Sequence, residues 1–313
     1  MADVAPARAH RTTTGARSEP WEPRRPLGAH RPPVRPRLGV ASRPVVVLRL
    51  IPALLAAVVL AAAAVLVSAS ADAGSAGRAR LPDLDQEAPS ALVVTRVGPP
   101  EQPEYLLGFR SAVRNVGDGP LIIDGRREGL DSDTMVANQL VDRAGGPRTE
   151  VEGVGRLRYV VSPDHRHWHL LRFQRYELRR AGSNVALVTD RKTGFCLGDR
   201  YSAGGRALRN RAPRPAFTSR CGLERTELLG IREGISVGYG DDYSANLEGQ
   251  YLSLTGLADG RYLLVHRVNS GRRIRETGYH NNAASALIAL RWRSGVPYVR
   301  VLARCPDNAR CSD

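Results

Sequence analysis

The sequence predicts an all-β fold, a β-sandwich with long loops, over residues 81–313. Short β-rich runs recur there, among them Tyr105–Arg114, Arg261–Val268 and Ala284–Arg293. Turn sequences such as Ala258–Gly260 separate the runs, and no stretch keeps the 3.6-residue period of a helix for more than about three turns. Many short strands divided by turns are typical of a sandwich, whose loops usually carry the function.

Composition indicates a folded core in a strongly basic chain. Of the 313 residues, 42% are hydrophobic, which excludes wholesale disorder. There are 46 Lys+Arg against 31 Asp+Glu, a formal net charge of +15, and Lys192 is the only lysine. In a chain that uses arginine wherever charge alone matters, a retained lysine indicates a need for a primary amine, which a guanidinium group cannot supply.

Basic charge is concentrated at the N-terminus. Residues 1–44 hold nine arginines, three acidic residues and many prolines, so we expect a disordered, Pro/Arg-rich tail that stays in the cytoplasm. Taken alone, a basic tail of this kind could bind nucleic acid or acidic lipid. The apolar segment that follows it favours a membrane instead, and we predict no nucleic-acid partner.

An apolar segment at residues 45–67 predicts export. Its core, Ile51–Val67, is short for a transmembrane helix and long for the hydrophobic region of a signal peptide. Arginines precede it closely and none follows closely, so residues 81–313 should be extracytoplasmic. The linker at residues 68–80 offers A-x-A cleavage sites at about Ala71–Ala73. Two outcomes stay open: an anchor that holds the protein in the cytoplasmic membrane, or secretion after cleavage.

The exported part contains four cysteines: Cys196, Cys221, Cys305 and Cys311. An even number outside the cytoplasm predicts two disulfides, with three connectivities to choose from. Sequential closure needs the least ordering of loops. We therefore predict the pairs Cys196–Cys221 and Cys305–Cys311.

The strongest local signal is a histidine cluster in Asp164–His169, with the sequence DHRHWH. On a strand, His165, His167 and His169 share one face, so that one segment can supply several metal ligands. A flat strand would hold the first and third Cα atoms about 13 Å apart, so we expect a bent strand or loop edge on which the imidazoles converge. Imidazole suits Zn, Cu, Fe and Ni alike, so the motif alone does not name the metal.

Two further segments carry residues with chemical potential. Lys192 precedes the run Phe195–Asp199 (FCLGD), and Tyr243 precedes a predicted strand at 250–254. A lysine amine can act as a nucleophile toward a carbonyl or a quinone. Taken alone, Tyr243 would be interpreted as a packing residue.

Taken in order, these segments resemble the lysyl oxidase family, and the resemblance spans residues 81–293. That family carries a His-x-His-x-His copper motif, a Lys before a Phe-Cys-Leu-x-Asp-like run, a Tyr before Ala-Asp and a Gln-Trp-like pair, and a late Glu-x-x-Tyr-x-Asn-Asn element. The matching elements here are His165, His167 and His169; Lys192 with Phe195–Asp199; Tyr243 with Ala245–Asn246 and Gln250–Tyr251; and Glu276–Asn282.

The resemblance, to an exported member of bacterial type, implies a copper-dependent amine oxidase that makes its own quinone. His165, His167 and His169 would bind copper. Lys192 and Tyr243 would be the precursors of a lysine tyrosylquinone cofactor. The implied reaction converts a primary amine, free or on a lysine-containing protein, to an aldehyde, and it consumes O₂ and releases ammonia and H₂O₂.

The resemblance also implies a calcium site. Its ligands would be Asp83, the Leu84 carbonyl, Glu276, Asn281 and Asn282. Oxygen donors of this kind are what calcium prefers.

Two other functions remain open from the sequence. One is a cupin-like mononuclear metal enzyme, with His165, His167 and Glu177 as ligands together with His266 or His280. The other is a non-enzymatic copper-binding or adhesion sandwich on the cell surface. The cupin-like hypothesis leaves Lys192 and Tyr243 unexplained.

Overall fold

The structure is a computed structural model that describes residues 77–163, 165–189, 192, 194–204 and 207–312. The predicted tail at 1–44, the apolar segment at 45–67 and most of the linker at 68–80 lie outside the described residues. Within the described ranges, no helix has the length and apolar character needed to cross a membrane.

The prediction of an all-β fold is confirmed, since the described residues form eighteen strands and no helix. In chain order the strands are β1 (Ala79–Arg80), β2 (Leu84–Gln86), β3 (Ser90–Val97), β4 (Glu104–Asn115), β5 (Leu121–Arg126), β6 (Thr134–Arg143), β7 (Gly146–Ser162), β8 (His165–Leu171), β9 (Gln174–Arg180), β10 (Ala186–Thr189), β11 (Gly194–Phe195), β12 (Tyr201–Ser202), β13 (Gly230–Ile235), β14 (Tyr239–Tyr243), β15 (Tyr251–Ser253), β16 (Gly260–Val268), β17 (Ala283–Arg293) and β18 (Val296–Cys305).

These strands form three antiparallel sheets. The first has the order β11-β8-β7-β6-β5-β13, with β1 also paired to β6. The second has the order β10-β9-β16-β17-β18. The third has the order β12-β14-β4-β15, with β2 and β3 also paired to β4. The chain therefore returns several times to the long strand β4, which organises the third sheet.

One large hydrophobic core collects side chains from all three sheets. Phe109 of β4, Trp168 of β8 and Tyr176 of β9 are among its largest fully buried members. Each fully buried side chain of this size contributes roughly 1.5–3 kcal/mol from the removal of apolar surface from water. Strands from every sheet supply apolar side chains to this core, in agreement with the β-rich runs of the sequence.

Strand pairing brings the candidate functional segments together. Strands β7 and β8 form a hairpin in which Ser162 pairs with His165, so the histidine motif opens β8. The short strand β11 pairs with the other edge of β8, with Phe195 opposite Leu170. This pairing places Lys192, just before β11, beside the histidine strand.

Both predicted disulfides are confirmed. Cys196 is bonded to Cys221 and Cys305 is bonded to Cys311. The first bond ties the segment after β11 to the loop before β13. The second closes the end of β18 onto the C-terminal residues.

Candidate functional site

Three histidines converge on one face of β8. The ring centroids of His165 and His167 lie 5.4 Å apart, those of His167 and His169 lie 4.7 Å apart, and those of His165 and His169 lie 4.9 Å apart. His165 and His169 are buried and His167 is half-buried. The expected convergence is therefore present, and it occurs on a paired strand rather than on a free loop edge.

The nitrogens of this cluster are arranged as metal ligands. One nitrogen of each imidazole lies within 4.8 Å of one nitrogen of each of the other two. Two nitrogens bound to one metal at about 2.1 Å lie at most about 4.2 Å apart, so small side-chain movements complete the coordination. The Nε2 atoms of His167 and His169 are 2.8 Å apart and therefore address the same space.

Two imidazoles of the cluster are held neutral, as metal binding requires. Burial, helped by the neighbouring histidines, lowers the pKa of His169 to about 2. Burial and the charge of His165 lower the pKa of His167 to about 4. The Nδ1 atom of His169 is buried and has no hydrogen-bond partner among the described residues. Neutral, converging and partly unsatisfied imidazoles fit a copper or zinc ion.

Lys192 lies beside this cluster and above an aromatic pair. Its Nζ atom is 5.0 Å from the ring centroid of Tyr243 and 5.3 Å from that of Phe195. The Nζ atom also makes a long contact of 3.5 Å with the Glu248 carbonyl oxygen. Gly249 allows this approach, because a Cβ atom there would lie 3.3 Å from the Lys192 Cα atom and because its φ of +74° suits glycine.

Tyr243 ends β14 and is almost completely buried, with 7% of its surface exposed. Its hydroxyl group lies 2.8 Å from the carbonyl oxygen of Cys196 and 2.9 Å from Oδ2 of Asp241. A phenol has one hydrogen to donate, so the two acceptors compete for it. Burial, followed by the charge of Asp241, raises the pKa of Tyr243 well above its ordinary value of 10.0.

Two buried carboxyl groups beside Tyr243 were missed by the sequence analysis. Burial raises the pKa of Asp241 to about 8, despite the opposing charge of Arg200. Burial likewise raises the pKa of Glu233 well above its ordinary value of 4.5. Asp241 lies two positions before Tyr243 on one strand, so the alternation of a strand could have placed both on one face. Glu233 lies on β13, and no local pattern connects it to Tyr243.

Glu233 also lies close to the Cys196–Cys221 disulfide. One of its carboxylate oxygens is within 4.8 Å of both sulfur atoms. Because these sulfurs are bonded to each other, they are not thiolates available to a metal. We therefore interpret this group as the packing around Tyr243 and not as a second metal site.

A small cavity connects the two halves of the site. It has a volume of about 110 Å³, and its lining residues include His165, His169, Lys192 and Glu248. The histidine cluster and the lysine that contacts Tyr243 therefore share one space.

The predicted calcium ligands come together as a hydrogen-bonded cluster. The buried Glu276 carboxylate accepts hydrogen bonds from the Leu84 amide at 2.7 Å and from the Asn282 side chain at 2.7 Å. Asn281 donates to the Asp83 carboxylate at 2.7 Å. The side-chain oxygens of Asn281 and Asn282 are buried and lack a hydrogen-bond partner among the described residues. Two such oxygens beside two carboxylates suit a calcium ion.

The cupin-like set of ligands does not assemble among the described residues. Glu177 is buried on β9 and pairs with Arg179 at 2.6 Å and with Arg267. His266 is buried on β16, with its ring 4.9 Å from that of Phe109 and 4.7 Å from that of Tyr176. Neither side chain belongs to the group of imidazoles on β8.

Comparison with known proteins gives a consistent result. The family model described as lysyl oxidase matches residues 154–296. Protein-lysine 6-oxidase from Gallus gallus is 29% identical over 119 residues, which is 38% of this chain and 24% of that protein. Lysyl oxidase homolog 1 from Homo sapiens is 26% identical over the same length, which is 18% of that protein. Protein-lysine 6-oxidase from Sus scrofa is 28% identical, over 41% of its length. The chain thus spans less than half the length of each of these relatives.

Proposed function

Residues 154–296 place this chain in the lysyl oxidase family, and from this premise we propose that it is a copper-dependent amine oxidase. The proposed reaction converts a primary amine, O₂ and water to an aldehyde, ammonia and H₂O₂. Lysine side chains of proteins are the proposed substrates, because the curated relatives are named protein-lysine 6-oxidases. The single observation that carries the proposal is the contact of Lys192 with both the Tyr243 ring and the cavity of the histidine cluster.

His165, His167 and His169 are the residues that would hold copper. Bound there, copper would supply the redox and O₂ chemistry that no amino-acid side chain of the site provides. The protein contributes a fixed face of β8 and three imidazoles, two of which are kept neutral by burial.

Lys192 and Tyr243 are the proposed precursors of a lysine tyrosylquinone. O₂ would first oxidise the Tyr243 ring to an ortho-quinone, and the Lys192 Nζ atom would then form a C–N bond to a ring carbon, which loses its hydrogen. This addition leaves the ring as a catechol, and a second oxidation by O₂ would restore the quinone. The flexible four-carbon stem of Lys192 can bring Nζ from above the ring to its edge. Phe195 packs edge-on against the Tyr243 ring, with centroids 5.0 Å apart, and so fixes the plane of that ring.

Asp241 is the group that can take up or release a proton at the Tyr243 hydroxyl. Its Oδ2 atom is 2.9 Å from that hydroxyl. A carboxyl group with a pKa of about 8 exists in both protonation states near neutral pH. Asp241 can therefore accept the phenolic proton when the ring is oxidised.

We also propose calcium at the cluster of Asp83, Leu84, Glu276, Asn281 and Asn282. The support is the pair of buried amide oxygens without partners beside the two carboxylates. This cluster ties the segment of β2 to the end of β16 and the start of β17, so its proposed role is structural.

The proposed location is outside the cytoplasmic membrane, with residues 45–67 acting as an anchor or as a cleaved signal and residues 81–313 as the catalytic domain. The support is the arginine asymmetry around the apolar segment and the presence of two disulfides. A reporter that is active only in the cytoplasm, fused after Leu302, should be inactive. An active fusion would contradict this topology.

The proposed activity is tested by loading the purified protein with copper in air and following H₂O₂ production from primary amines and from lysine-containing proteins. The account predicts H₂O₂ production together with quinone absorbance. Copper bound without quinone absorbance or H₂O₂ would favour a non-enzymatic copper-binding protein instead.

A further inference from the structure

A basic groove of about 590 Å³ opens beside Lys192. Three arginines, Arg158, Arg172 and Arg175, line it together with Lys192. Within the described part of the chain, no acidic side chain lines this groove. Its volume falls in the range of sites that hold small ligands or side chains. The space next to the proposed cofactor precursor is therefore strongly positive.

The three groove arginines have no acidic partner among the residues that the structure describes. Many arginines of this protein form ion pairs, such as Arg110 with Asp242 at 2.9 Å and Arg179 with Glu177 at 2.6 Å. Among the described residues, no acidic side chain forms an ion pair with any of the three. Their positive charge is thus available to a ligand, and the planar guanidinium group suits a carboxylate.

The backbone at Arg172 is a second sign of function. Arg172 lies in the tight turn between β8 and β9 and has a φ of 60°. A non-glycine residue in this left-handed region carries a steric cost. Glycine would avoid this cost, and residues held in such conformations cluster at binding and catalytic sites.

Charge alone makes this groove unsuitable for a simple alkylamine. A primary amine is cationic at neutral pH, and the three arginines repel it. A carboxylate on the same substrate, a few ångströms from the amine, changes that repulsion into attraction. We propose that the substrate is a primary amine with a neighbouring carboxylate, which Arg172 and Arg175 bind while the amine reaches the Lys192–Tyr243 pair. This proposal rests on the amine oxidase function proposed above.

The same chemistry could come from a free amino acid or from a polypeptide with acidic residues beside its lysine. A second cleft, of about 560 Å³, meets the groove at Leu171, Arg172 and Ser270. It combines apolar lining residues with further arginines, namely Val154, Leu170, Phe173, Ile274, Arg156 and Arg273. This continuation favours an extended acidic polypeptide segment over a free amino acid.

The first test compares matched tripeptides with blocked ends as substrates of the copper-matured protein. Acetyl-Glu-Lys-Glu-amide should have a kcat/KM about tenfold or more above that of acetyl-Gln-Lys-Gln-amide, since hydrogen bonds to charged groups contribute about 1.5–3 kcal/mol. Free lysine and pentylamine form the small-molecule arm. If free lysine is preferred over pentylamine and the two peptides react equally, the carboxylate of a free amino acid is the recognised group. If the acidic peptide is preferred over the neutral one and the two small amines react equally, the recognised carboxylate belongs to a polypeptide.

The second test changes the protein. The double variant Arg172→Gln/Arg175→Gln should reduce the preference for the acidic peptide to about twofold or less. The single variant Arg175→Gln should give an intermediate ratio. Arg300→Gln is the matched control, because Arg300 is an exposed arginine on β18, at the far edge of the sheet that contains β9. It should keep the full preference.

A binding measurement separates this inference from the proposed activity. Isothermal titration of metal-free protein with the two peptides needs neither copper nor quinone. Tighter binding of the acidic peptide, lost in the double variant and weakened by salt, supports the proposal even if no amine is oxidised. Oxidation of both peptides with equal kcat/KM and equal binding would overturn it while leaving the amine oxidase function intact. Equal binding without any oxidation would overturn both.

Discussion

The Nζ atom of Lys192 lies 5.0 Å from the centroid of the Tyr243 ring, although the two residues are 51 positions apart in the chain (243 minus 192). Lys192 is the only lysine of the protein, and Tyr243 is a buried tyrosine whose hydroxyl contacts a carboxyl group of raised pKa. The pairing of β11 with β8 brings Lys192 to the site, and Gly249 lets the chain that follows Tyr243 pass close to the Lys192 backbone. The lysine and the tyrosine therefore meet at the edge of the histidine cluster.

Replacing His167 with alanine should abolish stoichiometric copper binding. The substitution removes one of three imidazoles from a group whose ligand nitrogens lie within 4.8 Å of one another, and two imidazoles leave the metal weakly held. His165→Ala and His169→Ala should behave alike, and each should lose quinone absorbance together with copper. Metal analysis after dialysis measures the effect.

His280→Ala is the matched control for these variants, since His280 is exposed and lies outside the cluster. It should retain copper at the wild-type ratio. A triple variant of His165, His167 and His169 that keeps full copper stoichiometry would end the assignment of this metal site.

Tyr243→Phe should destabilise the protein by about 1–3 kcal/mol, because the Cys196 carbonyl and Asp241 lose the buried hydroxyl that they share. The variant should keep copper and form no quinone, since the phenol is the group that is oxidised. Urea unfolding and absorbance spectra provide the two measurements.

Tyr262→Phe serves as the comparison, because it also removes a tyrosine hydroxyl, one that donates to the Ala258 carbonyl at 2.7 Å. It should lose a similar amount of stability and still develop the quinone. Loss of the quinone in both variants would show that general destabilisation, and not the Tyr243 phenol, explains the effect.

The prediction of β-structure from the sequence succeeded for strands in which most residues are buried. The runs Tyr105–Arg114 and Ala284–Arg293 correspond closely to β4 and β17. The 17-residue strand β7 was not predicted. Its run of exposed and half-buried positions, rich in glycine and arginine, carries little hydrophobic pattern.

Local sequence pattern could predict only part of the candidate site, and the pairing of Lys192 with Tyr243 was predicted from the family resemblance. The histidine motif lies within five residues, and strand geometry alone indicated its shared face. The positions of Glu233 and of the Cys196 carbonyl near Tyr243 depend on contacts between segments distant in sequence, and no periodicity in the chain records them. The three-sheet arrangement escaped prediction for the same reason.

Asp241→Asn should flatten the dependence of stability on pH. Burial raises the pKa of Asp241 from 3.8 to about 8 on folding, so the folded state binds its proton more tightly than the unfolded state does. The stabilisation is complete below pH 4 and is lost as the pH rises toward 8. Between pH 5 and 8, the free energy of unfolding of the wild type should therefore fall relative to that of Asp241→Asn. Parallel curves from urea unfolding would contradict the raised pKa.

The Cys196–Cys221 disulfide should matter more than the Cys305–Cys311 disulfide. It closes a separation of 25 residues against 6, and in the chain-entropy account the longer loop is worth about 3 kcal/mol. Cys221→Ser should lower the free energy of unfolding by roughly that amount and impair quinone formation, because Cys196 positions the Tyr243 hydroxyl. Cys311→Ser should cause a smaller loss of stability and leave the quinone intact. Equal effects of the two substitutions would oppose this explanation.

The covalent link between Lys192 and Tyr243 is the central claim, and Lys192→Arg isolates it. Arginine keeps the positive charge, but its guanidinium group stays protonated up to a pH above about 12 and cannot add to the ring. The variant should therefore fold and bind copper without forming the cofactor.

Peptide mass spectrometry of copper-matured, aerobically active wild-type protein tests this claim most directly. The account predicts one cross-linked species that joins the peptide of Lys192 to the peptide of Tyr243, absent from Lys192→Arg and from protein kept free of copper. Recovery of both residues only in separate, unmodified peptides from active protein would contradict it.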